Sequence, residues 1–168
     1  DIRVRSARTV PDDFHARYSS VSKEYVYRLH NSAIDDPFMT PYAWRLATPL
    51  DADKMAAAAE YVVGRHDFRA FMSAGSDMED TVRTVHFFHV KREGEEIRFH
   101  ICADGYLYNM VRILVGTLVE VGAGRMQVEE MAQVLESGDR GRAGDTVPAK
   151  GLMLYKVHYP EEGKTESL

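Results

Sequence analysis

The sequence predicts an α+β fold in which an antiparallel sheet carries helices packed on one face. Three observations lead there. Segments 22–31, 84–92 and 95–103 are rich in Val, Ile, Phe and Tyr, and the last two are joined across Gly94 as a hairpin. Segments 51–63, 107–121 and 128–135 repeat apolar residues at helical spacing. No fixed-period repeat, low-complexity run or Pro/Gly-rich linker divides the 168 residues, so residues 1–168 read as a single domain with room for a sizeable core.

Each element has its own signal. Residues 1–10 set Ile2 and Val4 against Arg3 and Arg5, an imperfect period of two that reads as a strand. From Ser22 to Asn31, Lys23, Tyr25, Tyr27 and Leu29 alternate with Glu24, Val26 and Arg28, which puts Tyr25 and Tyr27 on one face of a strand. Pro37, Pro41 and Pro49 exclude a regular helix from 34–49 and leave a loop with a short strand around Trp44. Asp51 is placed to cap a helix whose Ala56–Ala59 run has the best propensity and which ends at Gly64. The next helix aligns Met110, Leu114, Thr117, Leu118 and Val121 and stops at Gly122-Ala123-Gly124. A shorter one turns Val128, Met131, Ala132 and Leu135 inward, and a strand from Leu152 to Tyr159 closes the chain before Pro160.

Composition narrows the function classes. With 45% hydrophobic and 28% charged residues the chain is neither disordered nor fibrous. The longest apolar stretch, 110–121, is broken by Arg112 and Glu120, so no membrane span is expected, and the N-terminus lacks a signal-peptide profile. A soluble, cytoplasmic protein is expected. Cys102, the single cysteine, allows no internal disulfide and has no second cysteine for a Cys-based metal site. The net charge of −5 argues globally against a nucleic-acid partner, yet residues 1–31 carry six Lys and Arg against four Asp and Glu. A local basic face remains allowed.

Arg112 is the most informative residue. Its helical neighbours Tyr108, Asn109, Val115 and Gly116 are not acidic. Its guanidinium therefore needs a carboxylate, phosphate or carbonyl from another segment or molecule, or else serves a structural role with its head at the helix edge. Tyr25 and Tyr27, close in sequence to Lys23, His15 and Arg17, combine aromatic and basic groups as base-stacking, phosphate-holding sites do, although strand aromatics also build cores. His66, His86, His89 and His100 lack acidic or cysteine companions at zinc-site spacing, and strand alternation would put His86 and His89 on opposite faces. No metal is expected. Gly122-Ala123-Gly124 follows a helix instead of opening one, the context of a C-cap and not of a phosphate cradle.

Four ordered blocks then carry a resemblance. Phe14-His15-Ala16-Arg17-Tyr18-Ser19 with Lys23-Glu24-Tyr25-Val26-Tyr27, Gly64-Arg65-His66-Asp67-Phe68 with Phe71, Met110-Val111-Arg112 with Gly116, and Ala149-Lys150-Gly151-Leu152-Met153-Leu154 resemble the C-terminal half of the tRNA pseudouridine synthase A family. The resemblance implies the C-terminal half of the pseudouridine synthase fold and an enzyme that isomerises uridine in the anticodon stem-loop of tRNA, without metal or organic cofactor. An essential aspartate breaks the N-glycosidic bond so that the uracil can turn and rejoin through carbon 5. By position, Tyr25 would stack on the flipped-out uracil, Arg112 would pair with the catalytic aspartate, and Leu152 would line the base pocket. Phe14, His15, Arg17 and Lys23 are further candidates for substrate contacts. Family members act as homodimers that hold the anticodon arm across both subunits.

One departure is large. The family's aspartate sits in a Gly-Arg-Thr-Asp-Ala-Gly-type motif, and none occurs in this sequence. Asp67 aligns with the family's separate Gly-x-His-Asp-Phe block, and Asp104 lies about two turns before Arg112, so neither takes its place. Together with a first residue, Asp1, that is not Met, this reads as a C-terminal domain whose catalytic half is absent, inactive alone. The alternative is a stand-alone, non-catalytic RNA-binding module, which an upstream reading frame containing the aspartate motif would exclude.

Overall fold

The computed structural model describes residues 2–75 and 78–160. Six strands form one sheet: β1 (Ser22–His30), β2 (Trp44–Arg45), β3 (Gly64–Asp67), β4 (Val82–Glu93), β5 (Glu96–Ala103) and β6 (Leu152–His158). Three α-helices accompany them: α1 (Ala52–Ala59), α2 (Met110–Gly122) and α3 (Glu130–Ser137). β1 is the centre. One of its edges pairs antiparallel with β5 along 23–30, followed outward by β4 and β3. Its other edge is shared by β6, antiparallel along Ser22–Tyr27, and by β2, parallel at Leu29 and His30.

Alternation decides which face the helices cover. Tyr27 and Leu29 of β1, Ile97, Phe99 and Ile101 of β5, and Phe88 of β4 are fully or almost fully buried beneath Met110, Ile113, Leu114 and Leu118 of α2. α2 is buried almost all round, because α1 covers another side of it. The opposite face of the sheet presents Arg28, Glu96, Arg98, His100 and Lys91. This is the antiparallel α+β sheet with helices on one face that the sequence predicts, except that β2 joins in parallel. Among the described residues no helix is long and apolar enough to cross a membrane.

Three local expectations change. The strand expected over residues 1–10 does not form: residues 2–10 pair with no strand, and Ile2 and Val4 are exposed (Asp1 lies outside the described residues). Alternation specifies a face but not a free edge to pair with, and β6 and β2 occupy the edge of β1 opposite β5. The first helix stops earlier than expected. Asp51 caps it through Asp53 N and Lys54 N, but its last turn tightens at 60–62 and Gly64, at φ +110, opens β3. Finally, a bulge between Val85 and Phe87 breaks the alternation of β4, so Val85 and Phe88 are both buried while His86 and His89 are both exposed. The histidines therefore do not follow the simple alternation expected of them. Gly124, at φ +72, closes α2 as the sequence predicts.

Candidate active site

The first turn of α2 carries Arg112, whose guanidinium is held at two points. Nε donates to the carbonyl oxygen of Val147 at 2.6 Å, and Nη1 donates to Oδ1 of Asn109 at 2.9 Å. Both acceptors are neutral, and no carboxylate among the described residues pairs with Arg112. Asn109 is the one non-glycine among them with positive φ, at +61. Asparagine tolerates that conformation better than most residues. Its Nδ2 donates to Oγ of Ser73 at 3.0 Å, while the Ser73 N–H donates to the Tyr108 carbonyl at 3.1 Å. The loop near Ser73 and the start of α2 thus fix each other.

Val147 reaches Arg112 because the segment 143–148 lies directly on the backbone of α2. A methyl group on Gly116 would overlap the carbonyl oxygen of Asp145, and one on Gly144 would lie 2.6 Å from the carbonyl carbon of Gly116. Only hydrogen at both positions permits this approach. The buried Thr117 hydroxyl donates to the Ile113 carbonyl and accepts from the Gly144 N–H, each at 2.9 Å, which sets the height of the loop on the helix. The next carbonyl, Pro148, accepts from the Tyr27 hydroxyl at 2.8 Å. Burial pushes the Tyr27 phenol well above its ordinary range, with Arg112 pulling weakly the other way, so it stays a neutral donor.

Tyr25 lies two residues from Tyr27 on the same face of β1, about 7 Å away. Its ring meets Tyr106 edge-on, with centroids 5.0 Å apart and planes at 84°, and Tyr106 is anchored by its own hydroxyl donating to the Lys23 carbonyl at 2.8 Å. Leu152 pairs with Tyr27 and packs against the core, while Leu154 pairs with Tyr25 and is 50% exposed. β1 and the 147–152 segment thereby bring Arg112, Tyr25 and Leu152 to one edge of the helix-covered face. Phe14, His15 and Arg17 gather at the Ser22 end of β1. The Phe14 ring packs on Tyr159 at 5.1 Å, His15 packs on Tyr18 at 4.4 Å, and the Arg17 guanidinium lies 5.6 Å from the Tyr18 ring centre. Lys23 donates through Nζ to Ser20 Oγ at 2.7 Å.

A family model described as tRNA pseudouridine synthase matches residues 58–160, the stretch that contains Arg112, Val147 and Leu152. The chain belongs to the tRNA pseudouridine synthase family. It is 43% identical over 159 residues to tRNA pseudouridine synthase A of Acetivibrio thermocellus, covering 95% of this chain and 65% of that protein. Against the protein of the same name from Halalkalibacterium halodurans it is 48% identical over 153 residues, 91% of this chain and 58% of that one. The Moorella thermoacetica protein gives 45% identity over 159 residues, 95% and 65%. The chain thus spans about 58 to 65% of the length of these curated relatives.

Sequence reasoning missed two parts of the Arg112 site. Asn109 was visible as the residue three before Arg112, but a search for a charged partner passes over a neutral amide whose reach depends on a left-handed backbone. Val147 is 35 positions away in sequence, and its clue was the glycine pair, Gly116 and Gly144, whose contact only the fold brings about.

Proposed function

We propose that this chain forms the Arg112–Tyr25 wall of a site that isomerises uridine to pseudouridine in the anticodon stem-loop of tRNA. The observation that carries the reading is the state of Arg112: half-buried, immobilised by two neutral acceptors, and paired with no carboxylate among the described residues. A guanidinium held this way is prepared for an anion that comes from elsewhere. The anion in this reading is the nucleophilic aspartate, contributed by a segment outside this chain. Pairing with Arg112 would keep that carboxylate ionised and aimed at the glycosidic carbon. Tyr25, braced by Tyr106, would offer a ring face to the flipped-out uracil, and Leu152 an apolar wall. Phe14, His15, Arg17 and Lys23 would meet the RNA around that base. No metal or organic cofactor takes part in this reading.

The same reading makes the chain the C-terminal domain of a cytoplasmic enzyme that works as a homodimer on the anticodon arm. Its experiment compares this 168-residue chain with a longer protein that includes the aspartate motif, using tRNA tritiated at carbon 5 of uridine. The longer protein releases tritium and the chain alone releases none. Release by the chain alone would overturn the assignment of the nucleophile to another segment.

A further inference from the structure

The sheet face turned away from Arg112 holds a second group of reactive side chains. Glu24 stands at its centre. Cys102 is its direct cross-strand partner on β5, and His158 sits opposite Ser22 on β6. A shift in the β1–β6 register between Glu24 and Tyr25 places Lys156 and His158, instead of Tyr155 and Val157, opposite the residues of the Glu24 face. His158 Nε2 lies 2.5 Å from Glu24 Oε1, and His100 Nε2 lies 2.8 Å from Glu24 Oε2. The His100 ring is itself set edge-on to Phe87 and Tyr155, at 5.0 and 5.3 Å.

Donor atoms of Glu24, Cys102 and His158 all lie within 4.8 Å of one another. Tetrahedral coordination with bonds of about 2.0–2.3 Å separates ligand atoms by roughly 3.3–3.8 Å, so small side-chain rotations suffice to converge them. Glu24 and Cys102 are buried, while His158 keeps a third of its side chain open, which leaves an entry path. One carboxylate and one thiolate neutralise a divalent charge, with imidazole as a neutral third ligand. His100, bound to the other Glu24 oxygen, orients the carboxylate as partners of metal ligands do. Lys156, the nearest cation on β6, is exposed and can turn to solvent.

We propose that Glu24, Cys102 and His158 form a binding site for a divalent metal ion of the zinc type, remote from the uridine site. On binding, the imidazole proton that His158 Nε2 holds toward Glu24 is exchanged through solvent to Nδ1, which frees Nε2 to ligate, and the thiol proton of Cys102 passes to solvent.

The test uses the 168-residue chain freed of metal by chelation. Zn2+ is titrated in competition with a chromophoric chelator, and Co2+ is added separately as an absorption probe. One equivalent of Zn2+ is expected to bind, and Co2+ to give a thiolate charge-transfer band. Cys102→Ser removes that band, and His158→Ala weakens Zn2+ binding at least about tenfold. Circular dichroism checks that both variants fold, as neither replaces the buried Glu24. Failure of the wild-type chain to compete for Zn2+, or equal binding by the Cys102→Ser/His158→Ala double variant, would overturn the site.

Discussion

Asn109 reaches Arg112 from a left-handed backbone: at φ +61 its Oδ1 accepts from Nη1 of Arg112 at 2.9 Å. Conformation and clamp can be separated by substitution. Asn109→Ala keeps the backbone cost and loses the hydrogen bonds, a destabilisation of about 2 kcal/mol. Asn109→Gly removes the cost along with the bonds and stays within about 1 kcal/mol of wild type. Urea unfolding measures both. In either variant the Arg112 Nη1–H, no longer held by Oδ1, exchanges faster with solvent, and equal destabilisation by the two would contradict the backbone argument.

The contact of Gly116 with Asp145 permits no insertion. Gly116→Ala pushes the 143–148 segment off α2 and costs about 3 kcal/mol, at the upper end of overpacking because backbone, and not a flexible side chain, must move. Urea denaturation reads the loss. Ala at Gly124, which has nothing within 4 Å but lies at φ +72, costs only about 1–2 kcal/mol of backbone strain.

On the open face of the sheet, Glu96 accepts two bonds from Arg28, at 2.7 and 3.1 Å, and two from Arg98, at 2.9 and 3.4 Å. The Arg28 hydrogen bond chiefly, against burial, holds its carboxyl down to about 2. A carboxyl depressed in the folded state stabilises above its ordinary value of 4.5, and that contribution is lost as pH falls toward about 2. Glu96→Gln is therefore less stable than wild type at neutral pH, and the gap closes near pH 2. A gap that persists at the acid end would assign the loss to packing.

Legibility in the sequence followed range. β1 was readable because Tyr25, Tyr27 and Leu29 alternate over nine residues, and the β4–β5 hairpin because Gly94 adopts the positive φ its turn needs. β3 was not, since Gly64-Arg65-His66-Asp67 is short and polar and its strand form comes from pairing with β4. The same limit hid the Val147 contact with Arg112 and the grouping of Glu24, Cys102 and His158, which three strands assemble. That Arg112 needed a partner from another segment was readable; which atom supplies it was not.

Whether Arg112 completes a uridine-isomerising site is tested most directly by Arg112→Ala in the longer protein that includes the aspartate motif. Tritium release from uridine-labelled tRNA is measured beside an unfolding curve. The expected result is a fall in kcat/KM of about a hundredfold or more with the unfolding curve little changed. Normal turnover by the folded variant would contradict it.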